Sequence, residues 1–121
     1  MSTNNALNAT FLTYVETLTS ANSSTAYTFD CSVGRNWLIT LTGNCTFSIT
    51  NVPSSGVTSI TIDLIQGSGP YTVTWPSSFI WAGGTAPTLT TTNAHVDSFV
   101  ARTTNTGTNF RAYVASQNFS A

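Results

Sequence analysis

Residues 37–50 read WLITLTGNCTFSIT, and this stretch decides the fold class. Large side chains recur at every second position on both sides of the sequence Thr42-Gly43-Asn44, with threonine or serine at most positions between them. A period of two is typical of a β-strand that buries one face, and glycine and asparagine favour tight turns. The stretch therefore predicts two short strands joined as a hairpin.

The same alternation recurs along most of the remaining chain. Turn-forming residues separate the segments that show it, which are residues 27–31, 60–65, 71–75, 96–101 and 110–115. Seven or eight short strands at this spacing predict a single all-β domain over residues 26–121, built as a β-sandwich or a jelly roll. One face of each strand is expected in the core, with a threonine-rich face outside.

Residues 1–25 differ from the rest of the chain. Their apolar residues lie at near-helical spacing, whereas their threonines favour a strand. We interpret residues 1–25 as an N-terminal arm that contacts a neighbouring subunit, with a flexible connector at residues 20–25. The alternative is that this segment supplies the first strand of the sandwich. The side chains expected to make the contacts are Leu7, Phe11, Tyr14, Val15 and Leu18.

Charged side chains are scarce in this sequence. There are three arginines, four acids and no lysine, with a formal net charge of −1. Charged residues make up 6% of the chain, whereas about 25% is usual in soluble domains, so a basic surface for nucleic acid is excluded. Low charge favours a surface that faces other proteins. The alternative is a surface hydrated by the hydroxyls and amides of 24 Thr, 15 Ser and 11 Asn.

The sequence shows no targeting or membrane-spanning segment. The N-terminal residues lack the basic and apolar regions of a signal peptide, and no apolar run is long enough to cross a bilayer. We therefore expect synthesis in a cytosol. In that compartment, Cys31 and Cys45 are expected to be free thiols that point into the core.

No catalytic or metal-binding motif is apparent. His95 has no second histidine, cysteine or carboxylate at a ligand spacing. A glycan hydrolase would need two of the four acids, Glu16, Asp30, Asp63 and Asp97, to converge in space, and the sequence leaves that open. We expect no enzymatic activity, no metal and no cofactor.

The three arginines, Arg35, Arg102 and Arg111, are each expected to have an assigned partner because the chain holds so few charges. The candidate partners are Asp30, Asp63, Asp97 or an acid on a neighbouring subunit.

Residues 75–84 read WPSSFIWAGG and form the densest aromatic segment. Tryptophan and phenylalanine are common at protein interfaces, so Trp75, Phe79 and Trp81 are candidate subunit contacts. Two alternatives are that they close one end of the sandwich, or that exposed tryptophan faces stack on a glycan.

Four short motifs, in this order, resemble those of a module of tailed-bacteriophage virion proteins. They are LTGN at residues 41–44, DLIQGSG at 63–69, VTWPSS at 73–78 and WAGGTAPTL at 81–89. A strand that bears Asp97 and an aromatic strand that ends in Asn118-Phe119 follow them in the same order. That module occurs at the ends of tail fibres and in head-decorating proteins, and the resemblance covers about residues 26–120. Members often carry Gly-Gly-Arg where this chain reads SGPY at residues 68–71, so a basic residue is missing there.

The resemblance implies a β-sandwich, a structural role on the virion surface and frequent trimers, without catalytic residues. Because the chain has its own Met1 and a short arm where a fibre would have a shaft, we expect a capsid decoration (cement) protein. It would be made in the host bacterial cytoplasm, dock as a homotrimer on the outer surface of the major capsid protein shell, and stabilise it. The alternatives are a receptor- or glycan-binding fibre tip or head-fibre adhesin, and a small β-sandwich glycan hydrolase.

Overall fold

The computed structural model describes residues 12–120, and nine β-strands lie in that range. A short 3-10 turn at Ala82–Gly84 follows the seventh strand. The strands are β1 (Leu18–Asn22), β2 (Ala26–Asp30), β3 (Asn36–Thr40), β4 (Cys45–Thr50), β5 (Thr58–Ile65), β6 (Val73–Thr74), β7 (Phe79–Trp81), β8 (Val96–Thr103) and β9 (Phe110–Phe119).

Strands β1 to β7 alternate between two sheets, and β8 and β9 both join the larger one. The larger sheet has the order β1-β3-β5-β8-β9-β7, and the smaller has the order β2-β4-β6. Neighbours are parallel throughout the smaller sheet and along β1, β3 and β5, so the chain coils and gives one strand to each sheet in turn. β8 is antiparallel to both β5 and β9, and β7 is parallel to β9. The all-β prediction is confirmed, and the two sheets form a sandwich-like arrangement.

The prediction of a hairpin around Thr42-Gly43-Asn44 is wrong. That turn leads from β3 in one sheet to β4 in the other, and among the described strands only β8 and β9 form a hairpin. The reason is visible in the hydrogen bonds of the turn. Asn44 Oδ1 accepts the Thr72 N–H at 2.9 Å, so the turn binds the next coil of the chain. Parallel ladders of this kind also differ from the antiparallel ladders of a jelly roll.

The core lies between the two sheets and is rich in aromatic rings. The Phe29 ring centroid in the smaller sheet lies 5.1 Å from that of Trp37 in the larger sheet and 4.8 Å from that of Phe47. The inward positions predicted from the alternation are confirmed over most strands. Buried apolar side chains are Phe29, Trp37, Ile39, Leu41, Cys45, Phe47, Ile60, Ile62, Leu64, Phe79, Phe99, Ala101, Phe110 and Ala112.

The prediction of a flexible connector at residues 20–25 is also wrong. Its first half belongs to β1, which pairs with β3, so residues 18–22 form a strand of the larger sheet. Ser23 is completely buried. Its N–H donates to the Thr40 carbonyl at 2.8 Å, and its Oγ accepts the Thr42 N–H at 3.1 Å. These bonds fix the chain between β1 and β2.

Both cysteines are free thiols. Cys45 is buried in the core, as expected, whereas Cys31 lies just after β2 and is half-buried. Burial raises the pKa of each thiol above its ordinary value. Both thiols are therefore mainly protonated near neutral pH, which lowers their reactivity.

Candidate interaction surface

The described part of the predicted arm presents apolar side chains to solvent. Tyr14 is 76% exposed, Val15 91% and Leu18 58%. Leu12, which the sequence analysis did not select, is fully exposed. Leu7 and Phe11 lie outside the described residues. Four exposed apolar side chains within seven residues make this segment a candidate contact surface, because burying them elsewhere would be favourable.

The three aromatic candidates of residues 75–84 pack largely against the core. Phe79 is only 7% exposed. The Trp75 ring centroid lies 4.8 Å from that of Phe99 and 5.3 Å from that of Phe47, and Trp81 makes an edge contact with Phe99 at 6.0 Å. This packing matches the alternative in which the aromatic segment closes one part of the sandwich. Their role at an interface stays a prediction.

A groove of about 220 Å³ lies beside Trp75. No charged side chain lines it, so it suits a neutral ligand with an apolar face. Its lining residues are Pro70, Tyr71, Thr72, Val73, Trp75, Ala86, Pro87, Thr88, Leu89 and Thr91.

Buried Gln66 holds one wall of this groove in place. Its Nε2 donates to the carbonyl oxygens of Tyr71 at 3.0 Å and Thr90 at 2.9 Å. Its Oε1 accepts the N–H groups of Gly67 at 2.9 Å and Tyr71 at 3.0 Å. A Cβ atom at position 67 would collide with the Leu41 carbonyl oxygen, so only glycine fits there. The hydrogen bonds of Gln66 and the close approach at Gly67 therefore fix the shape of this wall of the groove.

Asp97 is buried and its hydrogen-bonding capacity is used inside the protein. Oδ2 accepts from the Thr90 N–H at 2.8 Å and from Gln117 Nε2 at 3.0 Å, while Oδ1 accepts from the Asn118 N–H at 2.9 Å. Burial alone would raise the pKa of this carboxyl group, but these bonds outweigh it and lower the pKa. Asp97 is therefore a carboxylate that links Thr90, in the loop before β8, to the end of β9. His95 adds a 2.6 Å contact from Nδ1 to Asn118 Oδ1.

Within residues 12–120, no group of three or more His, Cys, Asp or Glu side chains could hold a metal ion. Glu16 Oε1 accepts from Asn36 Nδ2 at 3.0 Å. Asp30 Oδ1 accepts from the Ser32 hydroxyl at 2.6 Å and from Asn51 Nδ2 at 2.9 Å, and these bonds lower the pKa of Asp30.

Among the described residues, no arginine forms an ion pair with Asp30, Asp63 or Asp97, the intramolecular partners expected from the sequence. Arg111 donates instead to the Thr104 hydroxyl at 3.4 Å. On the antiparallel β8–β9 pair, Arg102 lies directly opposite Arg111, and both side chains are exposed. Like charges directly opposite each other are destabilising, and no acid of the described chain neutralises this pair.

The outward faces of the two sheets differ in chemistry. The smaller sheet presents short side chains, as expected, and Thr28 and Ser48 join across β2 and β4 at 2.8 Å. Its fully outward residues are Ala26, Thr28, Thr46, Ser48, Thr50 and Thr74.

The outward face of the larger sheet, called here the six-strand face, is much more apolar. Its charged residues are Asp63, Arg102 and Arg111. Sequence reasoning missed this face, although Leu38 and Ile65 occupy the outward parity of their strands and were a visible signal. The apolar residues on it are Leu18, Leu38, Ile65, Ile80, Val96, Val100, Tyr113 and Phe119.

Comparison with known proteins found no matching family model, no matching curated protein and no matching solved structure. The resemblance to the phage virion module thus rests on the sequence alone. Within residues 12–120, no helix has the length and apolar character needed to cross a membrane.

Proposed function

We propose that this protein is a capsid decoration (cement) protein of a tailed bacteriophage. The observation that carries the proposal is the exposed apolar segment Leu12–Leu18 on a molecule with seven charged residues. The free energy falls when another protein covers such a segment, because its apolar surface leaves water. The ordered motifs at residues 41–89 supply the virion context.

The proposed mechanism is mechanical. After synthesis in the bacterial cytoplasm, copies bind the outer surface of the assembled shell, as homo-oligomers, and Tyr14, Val15 and Leu18 pack against the major capsid protein. Each Å² of apolar surface buried contributes about 25 cal/mol before the cost of association. Contacts that bridge neighbouring shell subunits would oppose their separation under internal DNA pressure. The proposal includes no catalytic step, cofactor, nucleic acid or membrane.

The decisive experiment counts copies per virion by quantitative mass spectrometry against the main shell protein. Decoration requires a number equal to the shell protein or a fixed simple fraction of it. A handful of copies would instead identify a fibre or adhesin, and absence from the particle would reject a virion role.

A binding experiment then tests the exposed segment itself. Shells lacking the protein are incubated with the full chain or with the triple variant Leu12→Ser, Tyr14→Ser, Val15→Ser. Binding is expected to fall at least tenfold for the variant, since it removes the three most exposed apolar side chains of the segment. The matched control is Thr28→Ala with Ser48→Ala on the smaller sheet, which should bind as the full chain does. Equal binding by the triple variant would reject this segment as the contact.

A glycan-binding adhesin is the second candidate, and the groove beside Trp75 favours it. Tyr71 and Trp75 supply aromatic rings to its lining, and Thr88 and Thr91 supply hydroxyls. No charged side chain lines the groove, and this combination suits a neutral sugar. This candidate predicts that Tyr71→Ala abolishes binding on a glycan array and attachment of virions to cells. Unchanged attachment would remove the adhesin from consideration.

A further inference from the structure

We infer that two copies of this chain associate face to face through strands β5, β8 and β9 of the six-strand face, about a two-fold axis that crosses these strands at Val100. The inference rests on the self-association included in the proposed function but names its surface. The two-fold contact yields a dimer, unlike the trimers that the resemblance implies.

The first support is a comparison within the molecule. The outward residues of the smaller sheet are almost all threonine or serine, whereas the six-strand face carries a large apolar side chain on each of its six strands. Tyr113 and Phe119 are 47% and 49% exposed. Both faces belong to the same charge-poor chain, so general composition does not explain the difference. Apolar area of this kind marks a surface that another protein covers.

The second support is the arrangement of charges in register. Thr61, Val100 and Tyr113 lie opposite one another on β5, β8 and β9 and form a row across the face. Asp63 lies two residues from this row in one direction along the strands, and Arg102 lies two residues from it in the other direction. At 3.4 Å per residue, each is about 7 Å from the row.

A two-fold axis along the row exchanges its two sides. Asp63 of one copy then faces the region of the second copy that holds Arg102 and Arg111, and the reverse contact forms by symmetry. Aligned sheets pack about 10 Å apart, a gap that an arginine and an aspartate side chain together can cross. The arrangement gives the opposed arginines the acid that they lack within the described chain. Val100 and Tyr113 supply the apolar centre.

The occupant is a second copy because the face complements itself. A foreign acidic partner could neutralise Arg102 and Arg111 but would leave Asp63 facing another acid or an apolar surface. Self-association pairs both signs at once. Glu16, Asp30 and Asp97 each accept a side-chain hydrogen bond within the described residues, whereas Asp63 accepts none there. Its carboxylate is therefore available to a partner.

Sedimentation equilibrium of the full chain tests the inference, with charge reversals as the probes. A dimer is expected for the unaltered protein, and its dissociation constant should rise with salt. Asp63→Arg and Arg102→Asp should each weaken the dimer at least tenfold, and the double variant should regain most of the affinity. Ser48→Arg on the smaller sheet is the matched control and should leave the dimer unchanged.

Three results would overturn the inference: a monomer at all concentrations, a trimer, or a dimer indifferent to both charge reversals. Far-UV circular dichroism establishes that each variant is folded. If a reversal unfolds the chain, Asp63→Asn and Arg102→Gln replace the reversed pair, and their dimers must still be weaker. A dimer with this behaviour whose chain is absent from virions would reject the proposed function but leave the surface assignment standing.

Discussion

At the scale of single residues, substitution of Asp97 is expected to lower the stability of the folded protein strongly. Every group that contacts its carboxylate is a hydrogen-bond donor. In Asp97→Asn, the new NH₂ group must face one or more of those donors whichever way the amide is turned. We expect the free energy of unfolding at pH 7 to fall by about 3 kcal/mol, measured by urea denaturation.

The same residue gives a pH dependence with a definite sign. Hydrogen bonds hold the folded pKa of Asp97 below its usual value of 3.8, so its stabilisation is complete well above pH 3.8 and is lost as pH falls through the lower folded value. The difference between the unaltered protein and Asp97→Asn should therefore shrink in acid. Glu16→Gln is the control, since the exposed side chain keeps an oxygen for Asn36 and the substitution should change stability by less than about 0.5 kcal/mol. A difference that stays constant down to pH 2 would contradict this account.

Gln66 makes a comparable prediction for the groove. Gln66→Ala would leave two N–H groups and two carbonyl oxygens of the wall without their partner. A loss of about 3 kcal/mol is expected in the urea unfolding of this variant, because buried polar groups without partners are costly. Thr91→Ala on the rim of the groove should stay within about 0.5 kcal/mol of the unaltered protein. Equal stability of the two variants would show that water replaces the glutamine.

At the scale of elements, β1 belongs to the folded unit although the sequence analysis assigned it to the arm. Two truncated chains test this, one starting at residue 18 and the other at residue 26. The first keeps β1 and should melt as the full chain does. The second removes the ladder with β3 and the bonds of Ser23, so it should lose at least about 3 kcal/mol. Differential scanning calorimetry of both chains gives the answer. If the chain starting at residue 26 is as stable as the full chain, the predicted boundary at residues 25 and 26 is correct and β1 is dispensable.

The strands themselves could be predicted from the sequence more readily than their partners. Alternation identified β2 to β5, β8 and β9 and most of their buried side chains. β7 has three residues and is too short to show a period, and the first 25 residues mixed two periods. Parallel pairing could not be predicted, because strands such as β3 and β5 pair across an intervening strand of the other sheet. A turn sequence shows where the chain bends, while the hydrogen bonds of Asn44 and Ser23 decide what it meets.

At the scale of the whole molecule, the position of the apolar surface could be predicted only in part. Exposed Tyr14, Val15 and Leu18 agree with a contact segment, since no described neighbour covers them. The six-strand face was missed because its residues come from six separate strands and gather only through sheet order. Residues 75–84 looked like a surface patch, yet Phe79 is core. Aromatic density in a sequence does not by itself separate a core from an interface.

The alternation of strands between the two sheets also governs the rate of folding. Among the described strands, only β8 and β9 are both consecutive in the chain and partners in a ladder. Every other ladder must first close a loop through other strands, which costs entropy before a contact forms. Refolding followed by tryptophan fluorescence is expected in roughly milliseconds to seconds, and microsecond refolding would contradict this. On the ribosome, β1 to β6 can assemble in the order in which they emerge, but β5 gains its second neighbour only when β8 has been made.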